Sequence, residues 1–146
     1  MLYPVIVVIF FLESLFEVAI SRRNSKALIE QGAIDVAAHL LPFMAAVYGL
    51  KFSGSLIEYF ITQPELSTSW LLIFGGFLLA AKALKFWAIS ILGPYWSMKV
   101  LIVPGTQTVN RGPYRWIRHP NYVAVIMEII ALPLMGKAFI TATVVT

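Results

Sequence analysis

The sequence predicts an all-α fold: a polytopic integral membrane helical bundle of about four to five transmembrane helices, with one long polar loop on the cytoplasmic side. Three observations predict it. The 146 residues are 60% hydrophobic and only 12% charged, against about 25% charged in soluble domains. Mean hydropathy is +0.83, and the apolar residues come in long unbroken runs, as bilayer-crossing helices require. The basic residues gather in two of the connections between those runs. The whole chain, residues 1–146, reads as a single membrane domain.

The first span is 2–20. A signal peptide carries positive charge before its apolar core; here Arg22, Arg23 and Lys26 come after it, so the run reads as a retained helix. Residues 21–35, "SRRNSKALIEQGAID", form a polar connector with room for a short interfacial helix. The second span, 36–52, holds His39 and Pro42, and the loop 53–68 holds Glu58, Pro64 and Glu65. The third span, 69–92, contains Gly75–Gly76, small residues that permit close helix packing. A connection with four prolines follows over 93–121, then a fourth span at 122–135 near Pro133 and Gly136, and a fifth apolar run from 138. A crossing needs ~20 apolar residues, so spans two and four are short, tilted or buried against neighbours. One set of connections carries Arg22, Arg23, Lys26, Lys99, Arg111, Arg115 and Arg118; the other carries Lys51 and Lys137. By the positive-inside rule, connections 21–35 and 93–120 face the cytoplasm.

Several functions are excluded early. With no cysteine there is no disulfide framework, thiolate metal site or cysteine nucleophile. A net charge of +4 would suit nucleic acid, but the charges flank apolar spans instead of forming a soluble basic face. No metal constellation is found. Asp35 and His39, spaced i, i+4, read as a hydrogen-bonded pair on one face of span two. Glu13 and Glu17 share a face of span one, and Lys82 and Lys85 on span three are their available partners. Intramembrane charges are costly, so they are either paired or functional.

The polar loop is densest at "NRGPYRWIRHPNY", residues 110–122, with three arginines, a histidine and two prolines. Pro94, Pro104, Pro113 and Pro120 each fix a backbone angle and remove a donor, so the segment is rigid and not helical. Its unpaired backbone groups need partners, from water or from a ligand. A basic loop resting on anionic lipid would account for the arginines. It would not account for the fixed GPY turn, or for a histidine held before proline and followed by Asn121 and Tyr122.

The stretch "GPYRWIRHPNYVAVIMEIIALPL", residues 112–134, resembles the signature of the isoprenylcysteine carboxyl methyltransferase family. Gly112, Tyr114, Arg118, His119, Pro120, Tyr122 and Glu128 stand at the places of its G-x-Y-x-x-x-R-H-P-x-Y block and of the glutamate in the helix that follows. Residues 13–44, "ESLFEVAISRRNSKALIEQGAIDVAAHLLPFM", are similar to a bacterial branch whose members O-methylate alkylpyrones. The resemblance implies binding of S-adenosylmethionine by Thr106, Gln107, Thr108, Val109, Tyr114, His119, Pro120, Asn121 and Tyr122, with Arg118 and Glu128 as candidate catalytic residues. The family more often has histidine where Thr106 stands, and it places a further helix, an arginine and paired glutamates beyond Thr146, so the chain is expected to lack that C-terminal part.

Residue chemistry agrees. Aromatic faces such as Tyr114, Trp116 and Tyr122 suit a sulfonium cation or an adenine, and Arg115 or Arg118 suits a carboxylate. The expected reaction is methyl transfer to an acidic oxygen on a lipid-tailed small molecule, by alignment and exclusion of water. An acceptor that ionises by itself would need no strong base. Three rivals remain at this level: a prenylcysteine carboxyl methyltransferase, a nicotinamide-dependent membrane reductase, and a small transport-type or non-catalytic helix bundle.

Overall fold

In the computed structural model, which describes residues 2–146, five helices account for most of the chain: α1 (Leu2–Glu30), α2 (Leu41–Thr62), α3 (Thr68–Leu92), α4 (Pro120–Met135) and α5 (Phe139–Val145). The all-α membrane bundle is as expected. Among the described residues, α1, α2 and α3 are long and apolar enough to cross a bilayer. With its 16 residues, α4 reaches only about 24 Å, short of the ~30 Å hydrocarbon core. The bundle wall is apolar: Val5, Leu12 and Phe16 on α1, Phe43 and Ile57 on α2, and Leu72, Ile73 and Leu79 on α3 are all exposed, as lipid-facing residues are.

Two helices differ in their bounds from the sequence expectation. Residues 21–30 continue α1 instead of forming a connector, because their polar side chains have partners inside the protein. Asn24 Nδ2 donates to the Trp96 carbonyl at 2.9 Å, Ser25 Oγ lies 2.7 Å from Ser97 Oγ, and Ser21 Oγ accepts from the Met98 amide at 2.9 Å. The polar face of α1 thus clamps the segment after α3. In the same way α2 starts later and runs to Thr62, with Pro42 in its first turn, where a missing N–H costs nothing. Lys51 therefore lies inside a helix and not in a connection.

The two basic connections meet. β1 (Ile34–Asp35) pairs antiparallel with β2 (Leu101–Ile102), Ile34 opposite Ile102 and Asp35 opposite Leu101. They lie at one end of the bundle. Asp35 and His39 do not form the expected helical pair: Asp35 is in β1 and bridges to Lys99 at 3.1 Å, while His39 is exposed in a 3-10 turn at Ala38–Leu40. The strand pairing draws this stretch out of the helical register that the expectation assumed.

At the other end, α4 is held by side chains from its neighbours. The core joins Tyr3 and Val7 of α1, Phe52 of α2, Leu78 of α3, and Ala131, Leu132 and Met135 of α4. The last carbonyls of a helix lack internal donors; here Tyr3 Oη donates to the Leu132 carbonyl at 3.0 Å and Trp70 Nε1 to that of Leu134 at 2.8 Å. Gly136 sits directly against the Tyr3 ring, where a Cβ would collide. Glu58 of α2 caps α5, accepting from the Ile140 and Thr141 amides at 2.9 and 2.8 Å, a carboxylate where the helix dipole favours one.

Candidate functional site

Between α3 and α4 the chain makes no long helix. Gly93 stops α3 at φ +53°, and Pro94 follows it, the usual chemistry of a helix end. The GPY turn is a short 3-10 helix, Gly112–Arg115. Its glycine is required twice over. Gly112 has φ +57°, and a Cβ there would lie 2.6 Å from Ile91 Cγ1 of α3. Pro113 is buried behind it, and Trp116 packs on Trp87 with centroids 6.1 Å apart. The turn is thereby pinned against the end of α3. Pro120 then opens α4 at its first position, which suits proline.

These restraints enclose a cavity of about 300 Å³ between the loop and the helices. Tyr114, His119, Asn121 and Tyr122 line it, joined by Tyr48 of α2, Lys85 of α3, and Trp96 through Leu101. The His119 and Tyr122 rings stand 5.6 Å apart. Burial raises the Tyr114 phenol above its ordinary value, so it is a neutral hydroxyl donor and acceptor at any physiological pH. Three lining residues carry buried polar atoms with no hydrogen-bond partner: Asn121 Oδ1, Trp96 Nε1 and Tyr48 Oη. Buried polar atoms are normally paired, and leaving one unpaired costs about 1–3 kcal/mol. Unsatisfied donors and acceptors on residues that line one cavity fit a polar, hydrogen-bonding ligand.

The other sequence-named residues lie elsewhere. Thr106, Gln107 and Thr108 are exposed on the arm that follows β2, with Val109 half-buried, and none of the four lines the cavity. Thr106 Oγ1 donates to the Val103 carbonyl at 2.8 Å. Arg118 is exposed and outside the cavity wall. Pro120 is buried in the first turn of α4 and serves as backbone.

Glu128 is buried beneath the cavity in an ionic layer. Lys82 Nζ lies 2.6 Å from Glu13 Oε2, 3.1 Å from Glu128 Oε1 and 3.9 Å from Glu17 Oε1. Lys85 Nζ lies 2.6 Å from Glu17 Oε2 and 3.3 Å from Glu128 Oε2. Glu13 and Glu17 thus find the partners anticipated on span three, and Glu128 joins them. Glu128 reaches the cavity only through Lys85. Sequence reasoning did not place Lys85, Tyr48 or Trp96 in the cavity. A lysine inside an apolar span was the available signal for the first; nothing local marks the other two.

A second hollow, about 420 Å³, runs between α1 and α2. Phe11, Leu15, Val18, Ala45 and Phe52 give it apolar walls, and Arg22 and Lys99 stand in its lining. Met44, Tyr48, Met98 and Lys99 line both hollows, so the apolar groove and the polar cavity adjoin.

A family model, the isoprenylcysteine carboxyl methyltransferase family, matches residues 70–146, which include α3, the loop, α4 and α5. An uncharacterized protein of Bacillus subtilis, YpbQ, is 33% identical over 140 residues, covering 96% of this chain and 83% of that protein. An uncharacterized protein of Haemophilus influenzae is 30% identical over 131 residues, 88% of this chain and 75% of that one. No solved structure matches the chain.

Proposed function

The chain belongs to the isoprenylcysteine carboxyl methyltransferase family, a family of membrane methyltransferases, and on that premise we propose that it is an S-adenosylmethionine-dependent O-methyltransferase acting on an acidic oxygen of a lipid-tailed small molecule such as an alkylpyrone. The observation that carries this reading is the adjoining of the two hollows. A polar, water-soluble cofactor and an apolar tail need different solvents, and here a hydrogen-bonding cavity and an apolar groove between two membrane helices share a wall.

Tyr114, His119, Asn121 and Tyr122 would hold the cofactor, with Pro120 setting the backbone between them and Thr106, Gln107, Thr108 and Val109 joining from the exposed arm. Asn121 Oδ1, Tyr48 Oη and Trp96 Nε1 supply unpaired partners, and the aromatic faces of Tyr114 and Tyr122 suit a cation. The bound cofactor supplies an electrophilic methyl group on a sulfonium. The protein's part is to align the acceptor oxygen with it and to keep water out. Arg118 is proposed to pair with a cofactor or substrate anion, and Glu128 to act through Lys85. The two connections joined by β1 and β2 face the cytoplasm of a bacterial inner membrane. Lys51 lies buried inside the bundle, while Arg22, Arg23 and Lys26 are exposed in the last turns of α1, beside the strand pair.

The test is calorimetry with S-adenosylmethionine on detergent-solubilised protein, followed by labelled-methyl incorporation into alkylpyrones of graded tail length beside a farnesylcysteine. Each buried methylene adds ~0.8 kcal/mol of partitioning, so apparent affinity should climb steeply with tail length. Methylation of farnesylcysteine but of no pyrone would replace the substrate and keep the enzyme class. Absence of cofactor binding would overturn the reading in favour of a non-catalytic or transport-type bundle.

A further inference from the structure

Resting on that reading, we infer that Lys85, backed by Glu17 and Glu128, takes the proton of the acceptor oxygen, so that the acceptor enters the cavity protonated and uncharged. Lys85 is 1% exposed and lines the same cavity as Tyr114, His119 and Asn121. An ammonium has three donors. Two are met by Glu17 Oε2 and Glu128 Oε2, which leaves one for the cavity.

The charge count decides what can meet it. Three carboxylates, Glu13, Glu17 and Glu128, contact two ammoniums, Lys82 and Lys85. A third lysine, Lys51, is buried on α2 with its Nζ 4.2 Å from the centroids of the Tyr48 and Phe52 rings. Without Lys51 the layer is negative by one (three against two); with it the layer is balanced, three against three. Neither count leaves a spare positive charge for an arriving anion. The other lysine on the cavity wall, Lys99, is already bridged to Asp35 at 3.1 Å. The remaining titratable groups on the wall are His119 and the phenols of Tyr48, Tyr95, Tyr114 and Tyr122. An anionic head group at Lys85 would be an uncompensated buried charge, which is strongly disfavoured; a neutral O–H would not.

The layer also has somewhere to put a proton. Oε1 of Glu13 and of Glu17 has no hydrogen-bond partner, and the Lys85–Glu17 contact is short at 2.6 Å. The step balances. Lys85 Nζ passes one proton to Glu17 across that contact and takes another from the acceptor O–H. The acceptor oxygen forms its bond to the methyl carbon while the S–C pair returns to the sulfonium sulfur, leaving a neutral thioether. One proton stays in the layer, later lost to water.

The test uses a long-chain alkyl nitrophenol as an optical reporter, in detergent, at a pH where it is protonated in detergent alone. Entry into the wild-type cavity should generate nitrophenolate absorbance without any cofactor. Lys85→Arg keeps the charge and both ion pairs but cannot give up a proton, so its bound reporter should stay neutral and methyl transfer should fall roughly 10²–10⁴-fold. The double variant Lys85→Met/Glu17→Gln removes one charge of each sign and gives the same readout should the arginine disturb packing. A reporter that stays neutral in the wild-type cavity or does not enter it, or one that ionises equally in the variants, overturns the assignment. S-adenosylmethionine binding is titrated separately. Its absence in the wild type would strike the methyltransferase reading instead.

Discussion

Replacing Lys82 by methionine should be among the most damaging single changes in this bundle. The thioether chain fills nearly the same volume, so the effect isolates the charge. Lys82 Nζ is the close partner of Glu13 at 2.6 Å and a second partner of Glu128 at 3.1 Å. Its loss leaves Glu128, with a side chain only 2% exposed, dependent on Lys85, and leaves Glu13 without a cation. Removing one member of a buried ion pair costs about 3–5 kcal/mol. The Glu13 side chain is 21% exposed, so water screens part of its charge and the lower end, about 3 kcal/mol, is expected. Against a total stability of about 5–15 kcal/mol, that is a loss visible as a clear drop in midpoint. The assay is reversible unfolding in mixed micelles, followed by tryptophan fluorescence, on the wild type, Lys82→Met and Lys82→Met/Glu13→Gln. The double variant removes one charge of each sign and should recover most of the loss. A single variant within about 1 kcal/mol of the wild type, or a double variant no better than the single, would refute the view that this layer is a charge-matched unit.

Three further outcomes are expected. Gly112→Ala forces a left-handed backbone angle on alanine and drives its methyl into Ile91, costing about 1–3 kcal/mol locally; S-adenosylmethionine affinity should fall while the α1–α3 core keeps its unfolding midpoint. Tyr114→Phe should weaken cofactor binding by about 1 kcal/mol, the worth of one hydrogen bond, as read by calorimetry. Because burial raises the Tyr114 phenol, the folded state favours its neutral form; that stabilisation is complete below the unfolded value near ~10 and is lost as pH rises through the folded value, so absorbance titration should show one fewer late-ionising tyrosine in Tyr114→Phe. A single cysteine at Thr108 should resist an impermeant thiol reagent in intact cells, while one at Glu65 should react, both positions being exposed; labelling of the former would reverse the proposed orientation.

The parts that were legible from sequence share one physical origin: the cost of exposing polar backbone or charge to lipid. The apolar runs gave the helices, and the proline-rich, cationic 93–121 stretch gave the longest departure from helical geometry among the described residues. Lys82 and Lys85 could be paired with Glu13 and Glu17 because isolated charges there are untenable. What was not legible depends on contacts distant in the chain. Ser21, Asn24 and Ser25 look like connector residues until their partners at 96–98 are known. Asp35 and His39 fit a helical face equally well, and only the pairing of Ile34–Asp35 with Leu101–Ile102 excludes it. Tyr48 and Trp96 join the cavity through packing of α2 and of the α3 exit, for which no local pattern exists.

The short fourth helix explains why the polar cavity and the ionic layer belong together. Too short to span a bilayer alone, α4 needs its depth set by other elements. It has three anchors: the pinned turn that leads into Pro120 at its start, Glu128 at its middle through Lys82 and Lys85, and the Tyr3 and Trp70 donors at its end. From Asn121 to Glu128 is seven residues of helix, about 10 Å of rise. That rise fixes the distance between the loop groups and the charges beneath them, and Lys85 lies in that interval with its side chain on the cavity wall. A shift of α4 by one residue would break all three anchors at once. The ionic layer therefore does more than neutralise its own members: it holds the loop end of α4, with Asn121 and Tyr122, at a set height above Lys85 and Glu128, as the proposed alignment of a lipid-borne oxygen with a soluble methyl donor would require.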